Sequence, residues 1–161
     1  MHISELLIPE LQNETRLNKT FLQRVPEDKL EWAPHKKSMP MGALCTHIVG
    51  LYGAVSLTMN SDRFDLADVK PPEITPIKVL LPRLDELAEK AEKALKTDNA
   101  SYWETWTAYQ GDEVVMEMPR YTALRTIFLN QFPHHRAQLG VYLRLLDVAV
   151  PGTYGPSADE A

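Results

Sequence analysis

Residues 124–146, with the sequence LRTIFLNQFPHHRAQLGVYLRLL, form the stretch that decides the fold. Apolar side chains recur in it every three or four residues, which is the spacing of one face of an α-helix. We therefore expect a long helix that starts after Pro119 and reaches about Leu146. Two polar residues interrupt its apolar face, which consists of Leu124, Ile127, Phe128, Gln131, His135, Leu139, Tyr142 and Leu146.

Three further helices are predicted upstream of this stretch. The first runs from about Pro9 to Val25, and the third begins near Pro82 and ends at about Lys96. The second begins after the capping residue Ser38. Its apolar face again contains one polar residue among Leu44, His47, Ile48, Leu51 and Val55.

Together the four helices predict an all-α fold, a four-helix bundle formed by a single domain spanning residues 1–161. Residues 60–76 are predicted to form a loop. The segment 97–118 lacks helical periodicity and carries the turn signal Gln110-Gly111-Asp112, so a short irregular or hairpin insert is compatible with it. The prolines and glycines after residue 146 are expected to end the last helix.

Composition and charge exclude several classes of function. The chain has 17 Lys and Arg against 22 Asp and Glu, a net charge of −5, and no basic tract, so nucleic acid is not an expected partner. Residues 41–59 are uncharged, but they include His47 and three glycines, so we expect a helix buried in the protein and no membrane partner. The single cysteine, Cys45, excludes an internal disulfide and fits a cytoplasmic protein.

The polar residues on the apolar faces are the candidate functional residues. Gln131 and His135 are four residues apart, so they share one face of the last helix, and His47 lies on the second helix. Side chains that converge in a bundle core can hold a metal ion and leave positions open for water or substrate. A buried cluster joined only by hydrogen bonds satisfies the same pattern.

Three residues next to Gln131 and His135 also have expected roles. Pro133 lacks an N–H and is expected to produce a kink or bulge beside Gln131 and His135. His134 is rotated by about 100° from His135, so it is a supporting group, an alternative ligand, an acid or base, or a half-exposed interface residue. Arg136 is expected to pair with a carboxylate or to cap a neighbouring element.

Several runs of the sequence resemble proteins of the DinB family. They are WAPHKKSM at 32–39, LCTHI at 44–48, FLNQFPHHRAQL at 128–139, YLR at 142–144 and YGPSADE at 154–160. The resemblance spans nearly the whole chain, and the motifs occur in the family's order. It implies a four-helix bundle of the up-down-down-up type that is commonly a homodimer.

The resemblance also implies a divalent ion, nickel or zinc, held by three histidines. His47 and His135 match two of these positions, and Gln131 occupies the third, where the family usually has histidine. The predicted metal ligands are therefore His47, Gln131 and His135. An amide oxygen is a harder and weaker ligand than imidazole, which predicts weaker binding, a different ion or no ion.

Two functions from different classes follow from the resemblance. The first is a metal-dependent enzyme of the thiol-transferase or hydrolase type, acting on a small-molecule thiol or electrophile, in which the ion lowers the pKa of a bound thiol or water. The second is a non-catalytic dimeric module with a degenerate metal site. The apolar run from Val148 to Pro151 is a candidate surface for the second subunit.

Overall fold

Three long helices and one interrupted helical run carry the fold, which is known from a computed structural model that describes residues 1–160. The long helices are α1 (Ile3–Leu22), α2 (Met41–Asn60) and α3 (Ile77–Leu95). The fourth run, residues 120–145, consists of α4 (Arg120–Ala123), a π-helical segment (Leu124–Leu129) and α5 (Gln131–Leu145). Short 3-10 turns lie at Glu27–Lys29, Leu66–Asp68 and Ser101–Trp103. All four predicted helical regions are therefore present.

The helices pack as a closed ring in which α1 and α2 each contact both α3 and α5. The core fills the space between them with large apolar side chains, among them Leu11, Leu44, Tyr52, Leu80 and Leu139, each no more than 1% exposed. Helix α2 is long and apolar enough to cross a membrane by composition, but most of that stretch is buried against the other helices. Burial in the protein accounts for its lack of charge, as predicted.

The prediction of an all-α fold is wrong, because the structure also contains a three-stranded mixed sheet. Strand β2 (Thr105–Gln110) pairs in parallel with β1 (Arg63–Asp65) and in antiparallel with β3 (Glu113–Pro119). A turn with Gly111 at φ 65° joins β2 to β3, a conformation that favours glycine. Strand β1 comes from the segment predicted to be a loop, and its partner lies about forty residues later, so no local periodicity reveals the pairing.

The sheet covers one side of the fourth helical run. Trp106 of β2 is 1% exposed, and its ring packs against Phe64 of β1 and Phe128 of the π-helical segment, with ring centroids 5.8 and 5.9 Å away. Both phenylalanines also line the cavity described below. The sheet therefore fixes one wall of the candidate site.

The expected irregularity next to Pro133 is present. Because proline has no N–H, the Leu129 carbonyl lacks its ordinary helical donor, and the π-helical segment ends at this same residue. Helix α5 then starts at Gln131, so that Gln131 and His135 lie one turn apart in its first part. The residues after Leu145 contain no helix among those described, as predicted for the C-terminal segment.

Candidate functional site

Histidines from α2 and α5 meet at the centre of the candidate site. The Nε2 atoms of His47 and His135 lie 3.0 Å apart, and their ring planes are perpendicular with centroids 4.5 Å apart. Both side chains are half-buried. The two histidines that the sequence analysis placed on separate apolar faces are thus brought together tip to tip.

Gln131, the third predicted ligand, lies one helical turn before His135 and lines the same cavity as His47. Its side chain is half-buried and makes no hydrogen bond to any other residue in the range 1–160. A half-buried amide without a protein partner has a free carbonyl oxygen and a free NH2 group. Gln131 is therefore available to an ion or to a bound molecule.

Gln138, to which the sequence analysis gave no role, connects the histidines on α5. Its Oε1 lies 2.9 Å from His135 Nδ1, and its Nε2 lies 3.1 Å from His134 Nε2. With the amide oxygen on this side, the contact is a hydrogen bond when His135 carries its proton on Nδ1, and its Nε2 then presents a lone pair toward His47. The signal in the sequence is the spacing, because residue 138 lies three positions after 135 on one helix face.

The surroundings of both histidines at the centre favour the neutral form. Burial lowers the pKa of His47 below its ordinary value of 6.5, and the neighbouring His135 lowers it further. Burial also lowers the pKa of His135; the hydrogen bond to Gln138 acts in the opposite direction, and His134 adds to the lowering. Neutral imidazole is the form that binds a metal ion.

The geometry of the pair fits two ligands of one ion. With Zn–N distances of about 2.0–2.1 Å, two imidazole nitrogens on one ion are separated by about 2.9 Å at a right angle and about 3.3 Å in a tetrahedron. The observed 3.0 Å falls in this range. Within residues 1–160, no group of three His, Cys, Asp or Glu side chains is placed to hold a metal ion. The candidate donors are the two imidazoles and the Gln131 amide.

The other residues singled out in the sequence lie outside this centre. His134 is exposed, its ring lies 4.7 Å from that of His135, and Gln138 bridges the two side chains. Cys45 is fully buried, and burial raises the pKa of its thiol to about 12. The Cys45 thiol is therefore not a nucleophile at neutral pH.

A cavity of about 540 Å³ opens beside His47 and Gln131. Its walls come from α2, from the segment between α2 and α3, and from the π-helical segment, and most of its lining is apolar. The volume is in the range of small-molecule sites. His47 and Gln131 therefore line a pocket large enough for an organic ligand.

A buried ion pair anchors α5 to α1 behind the histidines. Arg136 Nη1 donates to Glu14 Oε2 at 2.5 Å, and both side chains are nearly inaccessible to solvent. Arg136 also donates to Asn18 Oδ1 at 3.0 Å, and the Asn18 amide donates to Tyr52 Oη at 2.9 Å. From the C-terminal segment, Tyr154 Oη accepts from Arg136 and donates to Glu14, both at 2.7 Å. The expectation that Arg136 pairs with a carboxylate is confirmed.

Comparison with known proteins identifies relatives of one kind. The sequence profile described as "DinB family" matches residues 1–161. A curated relative, the uncharacterized protein YrdA of Bacillus subtilis (strain 168), is 24% identical over 148 residues, which cover 91% of this chain and 85% of YrdA.

Two solved structures share the fold. A DinB-like protein from Bacillus cereus ATCC 10987 superposes with a TM-score of 0.68 at 20% identity, covering 89% of this chain and 92% of that one. The DinB-like protein YjoA from Bacillus subtilis superposes with a TM-score of 0.71 at 14% identity, covering 94% and 99%. At this level of identity the superpositions establish the fold.

Proposed function

Because the chain belongs to the DinB family, we propose that it binds one divalent ion, nickel or zinc, through His47, Gln131 and His135. We propose further that the bound ion makes it an enzyme of the thiol-transferase or hydrolase type. The observation that carries the proposal is the 3.0 Å separation of the two Nε2 atoms, which matches two ligands of one ion.

Each residue of the site has a role in this proposal. His47 and His135 supply neutral nitrogen donors, and Gln131 supplies a weaker oxygen donor or a hydrogen bond to the bound molecule. Gln138 holds the proton of His135 on Nδ1, which keeps its Nε2 free to bind. When bound, the ion would lower the pKa of a thiol or water and thereby supply a nucleophile at neutral pH.

The pocket supports an organic substrate in addition to the nucleophile. Thr46, His47 and Gln131 provide polar contacts at one side, and the remaining lining is mainly apolar. A small-molecule thiol or electrophile would lie with its reacting atom against the histidines and its body against the apolar wall.

The experiment that tests this function is a paired assay on the metal-loaded protein. Conjugation of cysteine to 1-chloro-2,4-dinitrobenzene reports thiol transfer, and hydrolysis of p-nitrophenyl acetate reports the hydrolase alternative. We expect one of the two rates to exceed the buffer rate and to fall to it in the His47→Ala variant. If loaded wild-type protein and His47→Ala give the same rates, the enzyme proposal is wrong for these classes of substrate.

A non-catalytic DinB-like module is the second candidate, and one observation favours it. The 3.0 Å contact between His47 and His135 is also an ordinary hydrogen-bond distance. In that state the Nε2–H of His47 donates to the lone pair of His135, and the cluster is satisfied without an ion. Metal content after loading separates the two candidates.

We also propose a cytoplasmic homodimer. The exposed residues Ala137, Val141 and Leu145 follow each other at intervals of four along α5, and the latter two are each 57% exposed. An apolar stripe of this kind is typical of a helix that packs against a second subunit. Val150 and Pro151, from the run that the sequence offered as a candidate surface, line the same groove as Val141 and Leu145. Light scattering of wild type and Val141→Glu tests the proposal, with a dimer and a monomer expected.

A further inference from the structure

The cavity beside His47 and Gln131 is lined by a few polar and many apolar side chains. Thr46, His47 and Gln131 are its uncharged polar lining residues, and most of the remaining lining consists of apolar side chains from α2, the π-helical segment and the segment that follows α2. A molecule that fills the cavity of about 540 Å³ must therefore be apolar over most of its surface.

The apolar wall is formed by large side chains held in place from behind. Phe64 and Phe128 line the cavity with their ring centroids 6.2 Å apart, and buried Trp106 packs against both. Aromatic edges and faces arranged in this way suit another aromatic ring.

Small residues on α2 make the room for such a ring. Gly50 and Ala54 are one turn apart and both line the cavity. A Cβ built on Gly50 would meet no atom within 4 Å, so this part of the cavity is open.

A single lysine side chain gives the lining of the cavity a positive charge. Lys70 is the one residue with a formal charge at neutral pH among those lining the cavity, and within the described chain it forms no ion pair. The protein as a whole carries a net charge of −5, so an unpaired lysine at an apolar cavity departs from the general charge of the chain. Its natural counterpart is an anionic group on the bound molecule.

We propose that the cavity binds a small molecule with an aromatic or aliphatic body and one anionic group, with the body against Phe64 and Phe128 and the anion at Lys70. The proposal rests on the proposed function, because it assigns a substrate class to the pocket of the same metal site. It stands on the lining of the cavity and needs no ion for its test.

The test uses 4-phenylbutyrate as the probe, with 4-phenylbutan-1-ol and 4-phenylbutylamine as its neutral and cationic analogues. Calorimetric titration is carried out on metal-free full-length protein and repeated on the nickel-loaded protein. We expect the anion to bind more tightly than the alcohol, and the alcohol more tightly than the amine. Because an exposed ion pair contributes up to about 1 kcal/mol, Lys70→Gln is expected to weaken binding of the anion by about three- to fivefold and to leave the alcohol unchanged.

Two further variants locate the binding. Gly50→Leu places a side chain in the open part of the cavity without a clash at Cβ, and we expect it to abolish binding of all three probes. Lys78→Gln removes an exposed lysine that does not line the cavity, and it is expected to bind like wild type.

The outcomes distinguish this inference from the proposed function. Binding that depends on Lys70 and Gly50 in a protein that takes up no metal supports the inference and removes the metal-dependent function. A protein that takes up nickel but binds no probe, or binds the amine as well as the acid, overturns the inference and leaves the metal site standing. Binding that survives Gly50→Leu places the probe elsewhere and also overturns it.

Discussion

The Nε2 atoms of His47 and His135 lie 3.0 Å apart, although 88 positions separate the two residues in the sequence. Helix α2 brings one and α5 the other, and the hydrogen bond from His135 Nδ1–H to Gln138 fixes which nitrogen faces the partner. This distance fits two states of the site. In one, both Nε2 lone pairs bind the same metal ion; in the other, one ring donates a hydrogen bond to the other. The predictions below separate these states and test the surrounding structure.

Replacing the divergent ligand with histidine is expected to strengthen metal binding. Gln131→His restores three imidazoles around one point, and imidazole is a better ligand than an amide for nickel and zinc. We expect the affinity for either ion to rise at least about tenfold, measured by competition with a chromophoric chelator. Gln23→His, which adds a histidine on the exposed end of α1, serves as the control and is expected to match wild type. Equal gains in both variants would mean that any added histidine has the same effect.

The orienting hydrogen bond predicts a distinct effect of Gln138. Removing it in Gln138→Ala frees His135 to change tautomer, so metal affinity is expected to fall by about tenfold or more. Gln138→Glu keeps an acceptor and adds a negative charge, so affinity is expected to equal or exceed that of wild type. Because residue 138 is exposed, thermal unfolding of the metal-free variants should change little. Equal affinities in the alanine and glutamate variants would show that the hydrogen bond plays no part.

The stability of the metal-free protein is expected to depend on pH through the two central histidines. Their folded-state pKa values lie below 6.5, so between those values and 6.5 the unfolded chain binds more protons than the native protein. Stability is therefore complete above about pH 7 and declines as the pH falls through 6.5 and below.

Urea unfolding between pH 7.5 and 5.5 measures this dependence. Carboxylates with lowered pKa values, such as Asp65 and Asp159, lose their contribution only at more acidic pH. The double variant His47→Gln/His135→Gln is expected to show a flatter profile over the same interval. A wild-type profile as flat as that of the double variant would contradict the prediction.

The ion pair behind the site is expected to be essential for stability. Glu14→Ala leaves the buried Arg136 charge without its carboxylate, and removing one partner of such a pair costs about 3–5 kcal/mol. Tyr154→Phe removes only the hydroxyl that bridges the pair, at a cost of about 1 kcal/mol. Urea unfolding measures both. Glu86→Ala, which breaks an exposed pair with Lys90, is the control and is expected to change stability by less than about 0.5 kcal/mol.

The helices could be predicted because each carries its own signal. Apolar residues at intervals of three and four mark the buried face of α3 and of the fourth run. Helix α3 begins at Ile77 and continues through Pro82, which was predicted as its start. Helix α1 begins six residues before the predicted start, because it continues through Pro9 and begins at the capping pair of His2 and Glu5. A proline in a helix is thus a weaker boundary signal than the pattern that surrounds it.

The sheet could not be predicted as a whole because its register depends on distant contacts. Strand β1 has three residues, of which only Phe64 is apolar, and it forms by pairing with β2 across a large separation in sequence. The turn at Gly111 gave a local signal for the hairpin of β2 and β3, whereas β1 gave none.

Some residues of the candidate site could likewise be identified from the sequence, and others could not. His47, Gln131 and His135 could be found because a polar residue on an apolar helical face is visible in the sequence. Gln138 was missed because its one signal, the spacing of three residues from His135, is weak on an exposed face where a polar residue is ordinary. The partner of Arg136 was also not visible, because Glu14 lies 122 positions away.

The most direct test of the account is the metal content of the purified protein without a histidine tag. Elemental analysis is performed after loading with nickel or zinc and removal of free ion, on wild type and His47→Ala side by side. The account predicts about one ion per chain in wild type and none in the variant. A wild-type protein that remains metal-free, or a variant that retains the ion, would contradict a site built on His47, Gln131 and His135.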